Sequence, residues 1–168
     1  MELPGSAYLY TLASISVTFV GFSALLLVFR QASERKMTGY ESYFMLTFMQ
    51  SGFIVAAGAL LPPLLALYGL AGATVWRISS VIMAILILAF VVTLPGRRRA
   101  ASGEEPPRYV WTLLVVQLLT VPCLLANAAG RPLGPDVAPY ATAISVFLFT
   151  AGIAFLIALS RALGEPTS

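Results

Sequence analysis

The chain has 168 residues, of which 59% are apolar and only 10% are charged. Soluble domains average about 45–50% apolar and about 25% charged residues, so this composition excludes a water-soluble globular core. The net charge of +3 does not indicate nucleic-acid binding, because the basic residues lie at or between the ends of apolar runs, where membrane orientation explains them.

Five long apolar runs predict five transmembrane helices. Each run supplies the roughly 20 residues that a helix needs to cross a bilayer. The runs are continuously apolar, which favours helices over the alternating segments of about ten residues found in a barrel. The expected helices cover about 8–29, 43–70, 75–94, 109–128 and 140–159. We therefore predict an all-α integral membrane protein, a bundle of five helices forming a single transmembrane domain over residues 1–168.

The first run, Tyr8–Phe29, is expected to remain in the membrane as a helix. A secretory signal peptide has a basic segment ahead of its apolar core, whereas the preceding residues here are MELPGSA. Basic residues follow the run instead, beginning at Arg30. This order predicts a retained helix with its N-terminus outside.

A polar stripe marks one face of the first helix. Thr11, Ser14, Thr18 and Gly21 follow each other at i, i+3, i+7 and i+10, which places them on one side. Small residues of this kind let membrane helices approach closely, so one interpretation is a packing seam. The other is a hydroxyl-lined stripe that faces water in an oligomeric pore.

Prolines complicate the second and third runs. Pro62 and Pro63 cannot donate to the carbonyls four residues earlier, so the second helix is expected to bend or stop there. Residues 62–74 are then either a kinked continuation, which we favour, or a short interfacial segment. Pro95 and Gly96 are expected to end the third helix, with a mobile polar loop after them.

The fourth and fifth helices flank a connection rich in glycine and proline. Pro122 lies within the fourth helix, and Asn127 is close enough to its outer end to be expected in water. Pro139 suits the first turn of the fifth helix, because its missing donor is not needed there. Asp136 then lies near the positive end of the helix dipole.

Two amides and a hydroxyl are predicted to share one depth. Gln50 and Gln117 each lie seven or eight residues inside the inner end of their helices, about 10–12 Å by helix rise. Ser23 reaches a similar level from the other side. These residues form a candidate polar layer in the inner third of the bundle, and the alternative is ordinary hydrogen bonding between helices.

The basic residues predict the orientation. Eight of the ten lie on one side of the five-span arrangement, which favours an outer N-terminus and an inner C-terminus. The eight are Arg30, Arg35, Lys36, Arg97, Arg98, Arg99, Arg108 and Arg161. Four of them are also candidate contacts for anionic lipid headgroups. These four are Arg97, Arg98, Arg99 and Arg108.

Ionisable residues are absent from the middle of every run. Proton relays and charge-coupled transport need such groups in the membrane, and acid–base catalysis needs a base near the reacting atom. The chain has no histidine, and its one cysteine, Cys123, cannot make a metal site by itself. We therefore expect no enzyme activity, and no catalytic, cofactor or metal site.

Two functions remain open. The first, which we favour, is a homo-oligomeric channel or passive pore for a small ion or solute, lined by hydroxyl and amide groups between protomers. The second is a structural or accessory subunit that packs against a partner membrane protein and transports nothing. The expected partners are the lipid bilayer and further copies of the chain, without nucleic acid. A bacterial inner membrane is the default location.

Overall fold

Five helices make up the regular structure of the part of the chain that the structure describes. The structure is a computed structural model that describes residues 3–32, 39–103, 107–131 and 134–164. The helices are α1 (Ser6–Ala32), α2 (Gly39–Leu67), α3 (Gly72–Ser102), α4 (Arg108–Ala129) and α5 (Val137–Gly164). Each is long and apolar enough to cross a membrane. This confirms the prediction of an all-α fold with five helices that are long and apolar enough to cross a membrane, for the residues that the structure describes.

Helices α2, α3, α4 and α5 form a ring, and α1 lies outside it. α2 packs against α3 and α5, and α4 packs against the same two helices, so these four close on themselves. α3 and α5 lie diagonally across the ring and touch little. α1 packs mainly on the outer side of α2. We call α2–α5 the four-helix ring.

Apolar side chains fill the middle of the four-helix ring. Val55, Ile87, Leu124 and Ile144 come one from each helix, and all four are fully buried. A second contact lies across the ring, where the aromatic rings of Phe90 and Phe147 meet edge to face with centroids 5.4 Å apart. Such pairs add specific attraction to their burial. The interior at this level is a packed core.

A glycine sets how closely α1 approaches α2. A Cβ atom added at Gly52 would overlap the Val20 side chain and lie 3.4 Å from the Ser16 carbonyl oxygen. Ser16 is itself buried in this contact, and its hydroxyl donates to the Leu12 carbonyl at 2.8 Å. The two helices therefore meet through a small residue, as membrane helices commonly do.

The helices tolerate their internal prolines. α2 continues through Pro62 and Pro63 to Leu67, so residues up to 67 extend the helix. α3 continues through Pro95 and ends at Ser102, whereas the sequence predicted an end at Leu94. Each proline removes one donor and leaves the rest of the ladder intact, which membrane helices accept when another group supplies the missing bond.

Asn127 joins three parts of the chain, contrary to the expectation that it lies in water. Its side chain is only 2% exposed. Its amide nitrogen donates to Ser80 Oγ at 2.9 Å and to the Asp136 carbonyl at 3.0 Å. The Asp136 backbone N–H donates to Asn127 Oδ1 at 2.9 Å, and the Asp136 carboxylate accepts from the Val137 N–H at 2.7 Å. The residue therefore fastens the start of α5 to α3 and α4.

Part of the basis for the orientation prediction lies outside the described residues. Arg35 and Lys36 belong to the segment 33–38, which is not described, and the side chains of Arg30 and Arg161 are likewise outside the described part. The orientation of the termini stays a prediction.

Candidate functional site

The polar stripe of α1 lies on the outside of the bundle. Thr11, Ser14, Thr18 and Gly21 are all exposed, on the side of α1 away from α2. The three hydroxyls donate to carbonyls of their own helix, at 2.8–3.0 Å. Their protons are therefore satisfied without water or another helix. The stripe does not pack within the protomer, and each hydroxyl keeps its acceptor capacity.

The stripe is the first part of a longer seam. Leu25 and Val28 continue the same spacing of three and four residues, and both are exposed. A 3–4 repeat is the pattern that packs one helix along another in a left-handed crossing. We call the set the α1 outer seam. It consists of Thr11, Ser14, Thr18, Gly21, Leu25 and Val28.

The members of the predicted polar layer make separate hydrogen bonds. Gln50 is exposed, and its Oε1 accepts from Arg97 Nη1 at 2.6 Å. Gln117 is buried and donates from Nε2 to Thr150 Oγ1 at 2.9 Å. Ser23 is buried between helices and donates to the Phe19 carbonyl at 2.8 Å. The three side chains are not joined to one another by hydrogen bonds.

The four arginines proposed as lipid contacts have different surroundings. Arg99 and Arg108 are exposed, as a headgroup contact requires. Arg97 is half-buried, and its Nη1 donates to Gln50 Oε1. Arg98 is only 7% exposed, because the extension of α3 past Pro95 carries it into the four-helix ring. Arg98 therefore belongs to the interior of the protein.

Arg98 lines a cavity at one end of the four-helix ring, where α3 ends and α4 begins. The cavity has a volume of about 80 Å³ and draws walls from all four helices. Near its rim lie Arg98, Tyr43 and Tyr109. Its base includes Phe90 and Gln117. Gln117 lies nine residues after Arg108, so the base is roughly 13 Å from the start of α4 by helix rise. We call this space the basic-end cavity.

Gln117 presents an unused acceptor at the base of the basic-end cavity. Its side chain is 5% exposed, and Oε1 has no hydrogen-bond partner among the described residues. The single proton of the Thr150 hydroxyl is directed at the backbone carbonyls of Val146 and Phe147, both 2.9 Å away. Thr150 Oγ1 then accepts from Gln117 Nε2, and Gln117 Oε1 keeps both lone pairs without a donor among the described residues. A buried acceptor without a donor costs about 1–3 kcal/mol.

A second unused group lies on another wall. Thr47 Oγ1 is buried, lines the basic-end cavity and has no partner in the described ranges. Tyr43, one turn earlier on α2, donates its hydroxyl to the Leu94 carbonyl at 3.1 Å and holds α2 against α3. The cavity therefore combines apolar and aromatic walls, the buried Arg98 cation, and two oxygens, Gln117 Oε1 and Thr47 Oγ1, that have no hydrogen-bond partner among the described residues.

Sequence reasoning singled out Gln117 but did not identify Arg98 and Thr47 as interior groups. The missed signal is the spacing of Phe90, Leu94 and Arg98 at i, i+4 and i+8, which places the arginine on the core face of a continued helix. The expected break at Pro95 concealed this relationship. Thr47 carries no signal of its own, because threonines on apolar helices commonly bond their own backbone.

Comparison of the chain with protein-family models, with curated proteins and with solved structures found no match.

Proposed function

We propose that this protein is a homo-oligomeric membrane subunit whose copies pack together along the α1 outer seam. One observation carries the proposal: six residues at 3–4 spacing run the length of α1 and are all exposed in the protomer. A peripheral helix with such a seam has a surface suited to another helix. The occupant that we propose is α1 of a second copy.

The seam is complementary to itself. Two copies inserted in the same direction have parallel α1 helices at equal depth, so each seam residue faces its own counterpart across a two-fold axis. Gly21 and Ser14 allow close approach of the two backbones. Because the seam hydroxyls already bond their own helix, their burial leaves no donor unsatisfied. Leu25 and Val28 supply apolar contact toward the other end.

The orientation proposed with this assembly has the N-terminus outside and the C-terminus inside. The excess of arginine and lysine on one side of the five-span arrangement supports it. It places the basic-end cavity on the inner side, because the cavity lies near the end of α3 at Ser102 and the start of α4 at Arg108. A bacterial inner membrane is the location proposed.

A passive pore between protomers is the second candidate. The polar half of the α1 outer seam favours it, since Thr11, Ser14 and Thr18 offer a run of hydroxyl oxygens to a solute. The contact of Phe90 and Phe147 and the fully buried core residues close the four-helix ring at that level, so a passage is proposed to run between copies. At least three copies, with their seams turned to a common axis, are needed.

Cysteine crosslinking in membranes tests the assembly. Cys123 is an exposed native thiol on α4 and provides the internal control. We expect Gly21→Cys in a Cys123→Ala background to form disulfide-linked dimers on oxidation, because the seam pairs Gly21 with its counterpart. The chain with Cys123 alone is expected to stay monomeric on the same gel. Crosslinking through Cys123 without crosslinking at position 21 would place the interface elsewhere.

Solute flux into proteoliposomes separates the two candidates. A subunit without transport gives no flux of small ions or neutral solutes above that of empty vesicles. A pore gives flux that Thr18→Leu blocks while crosslinking at position 21 persists. Flux that Thr18→Leu leaves unchanged would exclude the α1 outer seam as its lining.

A further inference from the structure

The size of the basic-end cavity limits what it can hold. Its volume of about 80 Å³ is roughly half that of an engineered cavity of about 150 Å³ that binds benzene. A whole lipid chain does not fit in such a space. A molecule with a body of about four carbon atoms does, with its end at the rim of the cavity.

The rim of the cavity carries a positive charge in an interior position. Arg98 is 7% exposed and lines the cavity at the level of Tyr109 and Val110. An arginine side chain has five N–H donors in a planar fork, more than one partner can use. Such a group favours a carboxylate or a phosphate, and the low dielectric of the surroundings strengthens that preference.

The base of the cavity calls for a hydrogen-bond donor. Gln117 donates from Nε2 to Thr150, and its Oε1, which is an acceptor, has no partner among the described residues. Thr47 Oγ1, on the facing helix α2, is also buried without one. Apolar and aromatic walls lie between rim and base. They include Phe44, Phe48, Leu94, Leu113 and Leu114.

We propose that the basic-end cavity binds a short organic acid that carries a hydroxyl group at the end away from its charge. The acid group binds Arg98, the apolar body lies against the aromatic walls, and the hydroxyl donates to Gln117 Oε1. The site is independent of the α1 outer seam, because it lies inside the four-helix ring.

The depth of the polar groups favours a free acid over a membrane lipid. A lipid that enters from the basic end has its charged head at the rim and only hydrocarbon below it. If hydrocarbon lies at the base, Gln117 Oε1 stays without a donor, which costs free energy. A ligand hydroxyl at the same place donates to this oxygen and avoids that cost. The order found here, a cation at the rim and an acceptor at the base, matches a molecule that is polar at both ends.

Isothermal titration of the full chain in neutral detergent micelles tests the proposal with three matched probes. 4-Hydroxybutyrate has both polar ends, butyrate has only the charge, and 1,4-butanediol has only hydroxyls. We expect 4-hydroxybutyrate to bind about tenfold or more tightly than the diol and about fivefold more tightly than butyrate, as charged and neutral hydrogen bonds differ. Equal binding of all three probes, or no binding of 4-hydroxybutyrate to the folded chain, would overturn the proposal.

Variants assign each end of the ligand. Arg98→Gln is expected to abolish the preference for acid over diol, and Gln117→Met is expected to abolish only the preference for 4-hydroxybutyrate over butyrate. Each preference is a ratio of the affinities of two probes for the same variant, so a general loss of stability does not change it. Arg99→Gln and Gln50→Met change exposed groups of the same kinds and are expected to keep both ratios. An equal loss of acid preference in Arg99→Gln would show surface charge binding and refute the site.

Competition between 4-hydroxybutyrate and an anionic lipid completes the test. Micelles doped with phosphatidylglycerol are expected to leave the affinity for 4-hydroxybutyrate unchanged within about twofold, with phosphatidylcholine as the control lipid. A tenfold loss with phosphatidylglycerol alone would assign the cavity to an anionic lipid and contradict the proposal.

Discussion

Tyr140 donates its phenolic hydroxyl to the backbone carbonyl of Gly58 across the boundary between α5 and α2, at 2.6 Å. Gly58 lies four residues before Pro62, so this carbonyl is one that the proline leaves without a donor. Water is absent from the hydrocarbon region, and an unsatisfied carbonyl there costs several kcal/mol. A bond between two helices therefore replaces a bond within one, and α2 continues to Leu67.

Removal of this hydroxyl tests the relationship. Tyr140→Phe is expected to lower the free energy of unfolding by about 1–3 kcal/mol, because a buried carbonyl loses its donor. Pro62→Ala restores the donor within α2, so the tyrosine substitution should cost much less in that background. Unfolding in detergent micelles, followed by circular dichroism, measures the four-variant cycle.

The exposed Tyr10 of α1 provides the control for this cycle. Tyr10→Phe is expected to leave stability unchanged, since its side chain is half exposed on the outer surface. Strictly additive losses for Tyr140→Phe and Pro62→Ala would show that the two groups do not act on the same carbonyl.

Gly52 and Gly21 have similar sequence surroundings, but they are predicted to differ in how well they tolerate substitution by alanine. Gly52→Ala is expected to cost about 1–3 kcal/mol of stability, because its methyl group overlaps the stiff Val20 side chain. Gly21→Ala meets nothing within 4 Å in the protomer and should not lower monomer stability. Val20→Ala should recover part of the loss at position 52. Equal losses at both glycines would contradict the close approach of α1 and α2.

Asn127 is predicted to contribute more to the free energy of unfolding than a residue with one interhelical hydrogen bond does. Asn127→Ala removes three hydrogen bonds at once, to Ser80 and to the backbone of Asp136. We expect a loss of about 2–4 kcal/mol, against about 1 kcal/mol for Ser80→Ala, which removes one of them. Proteolysis of the segment between α4 and α5 should also quicken only in the asparagine variant. Equal effects of the two variants would show that the bonds to Asp136 contribute nothing.

Gln117→Leu is predicted to keep or raise stability, unlike most substitutions of buried polar groups. Thr150 retains its bonds to the carbonyls of α5, so no partner is orphaned. The substitution also removes the unsatisfied Oε1. Exchange of a half-satisfied amide for an apolar side chain of similar size is close to neutral or favourable. A loss of more than about 2 kcal/mol would identify the amide as a structural bond and not as a group held for a ligand.

The membrane spans are predictable from the sequence because a single variable, continuous apolar length, decides them. The face of α1 that carries Thr11 and Thr18 also follows from the helical period alone. The period does not predict what surrounds this face, since it leaves open which side of a helix packs against its neighbours. The structure shows that Ser16 and Val20 form the packed side, and the polar stripe lies opposite.

The basic-end cavity is not predictable from the sequence either, because its lining depends on the direction in which each side chain points. Helix rise gives Gln50 and Gln117 their depth, but not the direction in which each side chain points. Gln50 lies on the outer surface with Arg97, and Gln117 lies inside. The sequence also predicts an end of α3 at Pro95, because a proline followed by a glycine usually stops a helix, whereas α3 continues to Ser102. Asn127 is predicted in water because it lies near the end of its helix, and its burial depends on the bonds to Asp136, which the helical period does not show.

The four-helix ring has a consequence for synthesis of the protein. α5 packs against both α2 and α4, so the ring closes only when the last helix has left the ribosome and entered the bilayer. Until then, Gly58, Asn127 and Gln117 lack Tyr140, Asp136 and Thr150, their partners in and next to α5. A chain truncated before α5 therefore leaves polar groups within the bilayer without their partners, a state that membrane helices disfavour.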